Sequence, residues 1–237
     1  MLWYKSWLET RWRFLIGLAL LLCSAAATVF TYPQVMKLMP MVPANISGPL
    51  GERIREAVVL ARDYRGYVWS QWFRQNGRQW TTLFAIILGT AGILTPASGA
   101  LFTLSLPVSR ARLLGVRAAT GLLELLLLAF VPSLLIPMLS PAIQQSYSVG
   151  SALGQAASLF VTASAFFTLA LLLSTFFDDP WRPLMIALAI AIALGIAAQI
   201  FRIHRFGHVP WGLLLTSAVA SLVLYYGAVI NLQHRDF

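Results

Sequence analysis

Few side chains in this sequence are suited to acid–base, nucleophilic or metal chemistry, and they are widely spread. Glu124 is an acid set inside a long apolar run. An ionised carboxylate is costly in hydrocarbon, so such a residue faces a bundle interior, a cavity or a partner. Its two readings are a substrate-path residue and an interhelix contact satisfied by an arginine or a backbone group, and Arg117 stands seven residues before it, on the same helical face. Asp178 and Asp179 form a carboxylate pair, but adjacent residues do not share a helix face, and capping a turn suits them better than catalysis. His204 and His208 are four apart in a segment with Gly207 and Pro210. Two histidines without a third ligand make a weak metal site. Cys23 is the single cysteine, so no disulfide forms within the chain; inside an apolar run it reads as a small buried apolar residue. There is no Gly-rich phosphate loop ending in Lys-Ser/Thr, no Gly-x-Ser-x-Gly elbow and no His-Glu-x-x-His. The expectation is a chain with no catalytic residue and no metal site of its own.

The elements that must position these groups follow from composition. Of 237 residues, 59% are apolar and 11% charged, with a mean hydropathy of +0.76. Ordinary soluble domains carry about 25% charged residues. Too little polar surface is left to cover a water-soluble globule, and in lipid a chain without closed-barrel patterning satisfies its backbone in helices. The net charge of +9 resides in arginines and lysines at the ends of apolar runs. That distribution suits anionic headgroups and lacks the basic patch or motif of a nucleic-acid binder.

Along the chain, apolar length predicts an all-α integral membrane protein with six spans, at about 14–32, 79–104, 113–139, 151–177, 184–201 and 211–230. Residues 2–13 interleave Trp3, Tyr4, Trp7 and Trp12 with Lys5, Glu9, Arg11 and Arg13, a pattern for a short amphipathic helix at the membrane surface. Basic residues before an apolar run resemble a signal peptide, but the run Phe14–Tyr32 is long enough to be a retained span. Residues 33–78 read as one extramembrane connection. Its first part, with prolines at 33, 40, 43 and 49, reads as extended loop. In its second part Ile54, Ala57, Val58, Ala61, Tyr64, Val68 and Trp72 recur at helical steps, predicting an amphipathic surface helix that runs into the second span. Gly89 and Gly92 in that span permit close helix approach.

The stretch Ser98–Arg117, SGALFTLSLPVSRARLLGVR, separates the second and third apolar segments. Pro107 ends or kinks a helix, and Ser109 can cap a new one that begins near Arg110. Within this stretch, Leu104-Ser105-Leu106-Pro107-Val108-Ser109-Arg110, preceded by the pair Gly99-Ala100, resembles the LSLPVSR signature of ABC type-2 exporter permeases. Before that pair, Thr95-Pro96-Ala97-Ser98 lacks the acids the family often carries there.

The resemblance implies that this region forms a cytoplasmic coupling helix docking on a separate ATP-binding subunit, with Gly99, Leu101, Leu104, Leu106, Pro107, Ser109 and Arg110 as coupling residues. It implies an elbow helix at the N-terminus and a pair of permeases, either a homodimer or two related chains. ATP and Mg would then belong to the partner subunits, and membrane lipids would surround the spans. Six spans put both termini on one side. The basic residues divide eight to nine between the two sides, so charge bias leaves the side open. The N-terminal charges and the resemblance favour cytoplasmic termini in the inner cell membrane. Two other readings stay open at this stage: a membrane-embedded enzyme acting on lipids, and a structural anchor for a partner complex.

Overall fold

In the computed structural model the described residues are 2–38, 55, 58–90, 109–177, 179–200 and 211–234. Among them the chain is helical, with no strand. Helix α1 spans Leu2–Leu38. A continuous helical path follows through α2 (Tyr64–Val68), π-helical turns at Trp69–Asn76, and α3 (Gly77–Gly89). Then come α4 (Arg110–Leu139), closed by a 3-10 turn at Ser140–Ile143, and α5 (Val149–Phe176). Helices α6 (Trp181–Ile200) and α7 (Trp211–His234) complete the chain. Among the described residues five helices, α1, α4 with its 3-10 turn, α5, α6 and α7, are long and apolar enough to cross a membrane. The expected second span, 79–104, is described only as far as Thr90.

The helices run alternately up and down. Tyr32 near the end of α1 meets Tyr64 at the start of α2, with ring centroids 4.9 Å apart. Nearer its start, the Arg13 guanidinium donates to the Ile87 carbonyl at the end of α3, at 3.2 Å. Trp72 on the π-helical turns donates its indole N–H to Ser133 Oγ on α4 at 3.5 Å. The Thr10 and Glu124 side chains join the early turns of α1 to the middle of α4. Asn231 of α7 donates to Thr175 Oγ1 of α5 at 2.9 Å. One end of the bundle therefore collects the start of α1, the ends of α3, α5 and α7, and the starts of α4 and α6. The core lies between α1, α3, α4 and α5, around Leu21, Trp72, Leu88, Leu125, Leu128 and Phe167.

Three expectations change. Residues 2–13 are not a separate surface helix but the first turns of α1. Ser6, Thr10, Phe14, Gly17, Leu21, Ala25, Thr28 and Tyr32 are all buried, one unbroken stripe at three- and four-residue steps. Ser6 and Thr10 hold the phase that Phe14 and Leu21 continue, so nothing separates the two segments. The helix also continues beyond Pro33 to Leu38: a proline removes one hydrogen bond, and here the helix tolerates that loss. Finally, Tyr64, Tyr67, Val68, Trp69, Trp72 and Phe73 do not lie on a surface; they are buried in the core. Their helical period is the one read in the sequence, but the apolar face meets α1 and α4 instead of lipid headgroups. Residues 51–54, 56 and 57 of that segment lie outside the described residues.

Close approach of α5 to α3 and α4 depends on two glycines against Phe167. A Cβ on Gly89 would stand 2.5 Å from the Phe167 carbonyl oxygen, and one on Gly121 would stand 2.5 Å from the Phe167 ring. Gly89 thus brings α3 against α5 as its position in the sequence suggests, while Gly92 lies outside the described residues.

Candidate functional site

Of the residues assigned to coupling, Gly99, Leu101, Leu104, Leu106 and Pro107 lie outside the described residues. Ser109 and Arg110 are described. Ser109 has extended backbone, φ −61° and ψ 140°, and its hydroxyl accepts from the Arg112 amide at 3.4 Å. It is the N-cap of α4, satisfying one of the amides a helix start leaves free. Arg110 Nη1 donates to the Leu232 carbonyl at 3.3 Å, tying the first turn of α4 to the last turns of α7. Near them Asp179 Oδ1 accepts from the Trp181 amide at 3.1 Å, the turn-capping role expected of the acid pair; Asp178 lies outside the described residues, as do His204 and His208. Cys23 is exposed, on the face of α1 away from Leu21 and Ala25, and is not the buried residue read from the sequence.

Two to four turns deeper is a polar site of the bundle. Arg117 of α4 is 4% exposed and Glu124 2%. Their helix puts both on one face, as the seven-residue spacing requires, yet each turns to a different partner on α1. Arg117 Nη1 pairs with Glu9 Oε2 at 3.1 Å, and Lys5 approaches the other Glu9 oxygen at 3.9 Å. Glu124 Oε1 is hydrogen-bonded with the Thr10 hydroxyl. Among the described residues, Arg117 Nη2, Glu124 Oε2, Ser6 Oγ and Thr81 Oγ1 are buried without a hydrogen-bond partner. Sequence reasoning singled out Glu124 and Arg117 but missed Ser6, Glu9 and Thr10. The available signal was the spacing of Ser6 and Thr10, four apart and in phase with Phe14.

At the opposite end the polar groups are aromatic hydroxyls. Tyr32 also packs on Tyr67 at 5.1 Å, and Tyr64 meets Tyr147 edge-on at 6.3 Å. The Tyr64 hydroxyl shares a hydrogen with Ser140 Oγ at 2.8 Å. Burial pushes the Tyr147 hydroxyl up to about 12, nearby Tyr64 adds to the shift, and the Arg65 charge opposes it. These rings close the gap between α1, the π-helical turns and the α4–α5 connection. They form packing, not a set of convergent reactive groups.

No family model, curated protein or solved structure matches this chain. The geometry therefore has to carry the functional reading. It offers a charged clasp between two long helices and a capped helix start at the end of the bundle that bears the first turns of α1 and the last turns of α7.

Proposed function

We propose that this chain is the permease subunit of an ATP-driven ABC exporter, a six-span protein of the inner cell membrane with cytoplasmic termini. In this reading α1, the path from Tyr64 through α3, and α4 to α7 supply the six spans. The first turns of α1, with Trp3, Trp7 and Trp12 exposed, lie at headgroup level. Two permeases, identical or related, pair with two ATP-binding subunits that hold ATP and Mg.

One observation supports this reading above the others. The last two residues of the LSLPVSR stretch, Ser109 and Arg110, begin α4 at the same end of the bundle as the start of α1 and the end of α7. Thr90 and Ser109, the described residues on either side of 91–108, both lie at the end of the bundle that bears the termini. Arg110 is fixed to α7, so a push on Ser109 and Arg110 would pass to α4 and α7 at once. Transport then follows from a partner whose ATP-bound and ATP-free states fit the segment differently, which is what any such coupling requires.

The test is copurification with a candidate ATP-binding subunit and an ATPase assay in lipid. A stable complex is expected. Pro107→Ala combined with Arg110→Glu should uncouple hydrolysis from transport while the protein still inserts. Unchanged transport in that double variant, or no complex with any ATPase, overturns the proposal. Lipid-modifying activity of the chain alone would favour an enzyme, and a stable complex without transport would favour an anchor.

A further inference from the structure

Glu124 and Thr10 pose a question of hydrogen counting. Glu124 Oε1 is in hydrogen-bond contact with Thr10 Oγ1. The threonine hydroxyl has one hydrogen to give. Two acceptors compete for it, Glu124 Oε1 and the Ser6 carbonyl at 3.1 Å on its own helix, the latter being the usual resting place for a threonine hydroxyl inside a helix. With that hydrogen on Ser6, an ionised Glu124 would set two lone-pair oxygens against each other. A carboxylic acid removes the conflict: Glu124 donates to Thr10 Oγ1, and Thr10 donates to Ser6.

Charge accounting points the same way. The ionisable groups facing this site are Lys5, Glu9 and Arg13 on α1 and Arg117 on α4. Arg117 forms its ion pair with Glu9 and acts on Glu124 only through space, with no ion pair between them, while Arg13 donates to the Ile87 carbonyl. Helix α3 carries one ionisable residue, Arg78, at its other end, and α5 carries none. Glu124 is the buried acid among the described residues, and its second oxygen has no hydrogen-bond partner there. A buried carboxylate left so poorly compensated costs far more than a neutral acid.

We propose that Glu124 is a proton-binding site, protonated at neutral pH, and that its proton fastens the first turns of α1 to α4. Binding takes one proton from solvent, and release returns it; no other reactant is needed. Deprotonation places a carboxylate against Thr10 Oγ1 and loosens α1 at the end of the bundle where the chain leaves Thr90. The site does not rest on the permease reading.

Infrared spectroscopy of the purified protein in lipid nanodiscs tests it directly. At neutral pH the wild type should show the carbonyl band of a protonated carboxyl group, and Glu124→Gln should remove it. As pH rises the wild-type band should disappear together with part of the thermal stability, because a proton held only in the folded state is lost there. Glu124→Gln, whose amide can donate to Thr10 as the acid does, should show no such loss. If Glu124→Gln does not fold, Thr10→Val retains the acid and should shift the band to higher frequency. A wild type without the band at neutral pH, a band that survives in Glu124→Gln, or one that Thr10→Val leaves unmoved overturns the proposal.

Discussion

Arg117 shows how a single residue makes the N-terminal helix part of the bundle. A guanidinium 4% exposed must be compensated, and Glu9 of α1 supplies the carboxylate. Removing one partner of a buried pair is worse than removing both, because the survivor stays charged in a dry site. Glu9→Leu should therefore destabilise the protein by about 3 kcal/mol, the lower end for such a loss since Glu9 is partly exposed. Adding Arg117→Leu should recover most of that deficit, as a double-mutant cycle would show. Thermal unfolding of the four proteins in one detergent reads this; additive losses would mean the pair is not coupled. At this scale the sequence was informative about one side only. An acid and an arginine within an apolar run stand out by their cost in lipid. Glu9 and Thr10 sit in a segment dense with Trp, Lys and Arg, where one more polar residue carries no signal until the stripe through Phe14 and Leu21 is extended backward.

At the scale of elements, the apolar length that identifies α4 to α7 was visible because it depends on composition alone. What a segment packs against is not. The aromatic face at Tyr64–Phe73 has the same period whether it meets headgroups or helices, and only the positions of Tyr32, Ser133 and Ser140 decide between them. Small residues offer a sharper reading, since close approach leaves no space for a side chain. At Gly89 the obstacle is backbone, the Phe167 carbonyl, so the added atom can be accommodated only by moving α3 against α5. Gly89→Ala should cost about 1–3 kcal/mol, the usual range for overpacking. At Gly154, where an added Cβ meets nothing within 4 Å, the same substitution should be neutral or stabilise by about 0.5–1 kcal/mol through helix propensity. Equal effects at the two glycines, read as unfolding midpoints, would mean that α3 and α5 do not meet at Gly89.

For the whole molecule, the decisive property is the surface of the last two helices. In their most apolar windows only 11% of α6 and 6% of α7 is buried within the chain, and Ile192, Leu194, Ile196, Leu215, Val219, Leu222 and Val223 are exposed. Water does not tolerate an apolar face of that extent on a monomer; a bilayer or another membrane protein does. Inserting the bundle with its helices across the membrane then fixes which loops share a side. The end of α7 and the turn between α4 and α5 are at opposite ends of antiparallel helices, because Arg110 holds Leu232 while Ser140 holds Tyr64. Both ends have exposed residues, Gln233 and Ser146, and the exposed Cys23 must first be replaced by alanine. In that background Gln233→Cys and Ser146→Cys should react with a membrane-impermeant thiol reagent from opposite sides. If the termini are cytoplasmic, Gln233→Cys reacts only in inverted vesicles and Ser146→Cys only in right-side-out ones. The reverse pattern would keep the bundle but turn it over, removing Ser109 and Arg110 from reach of a cytoplasmic ATPase. Labelling of both positions from the same side would contradict a bundle whose helices span the bilayer.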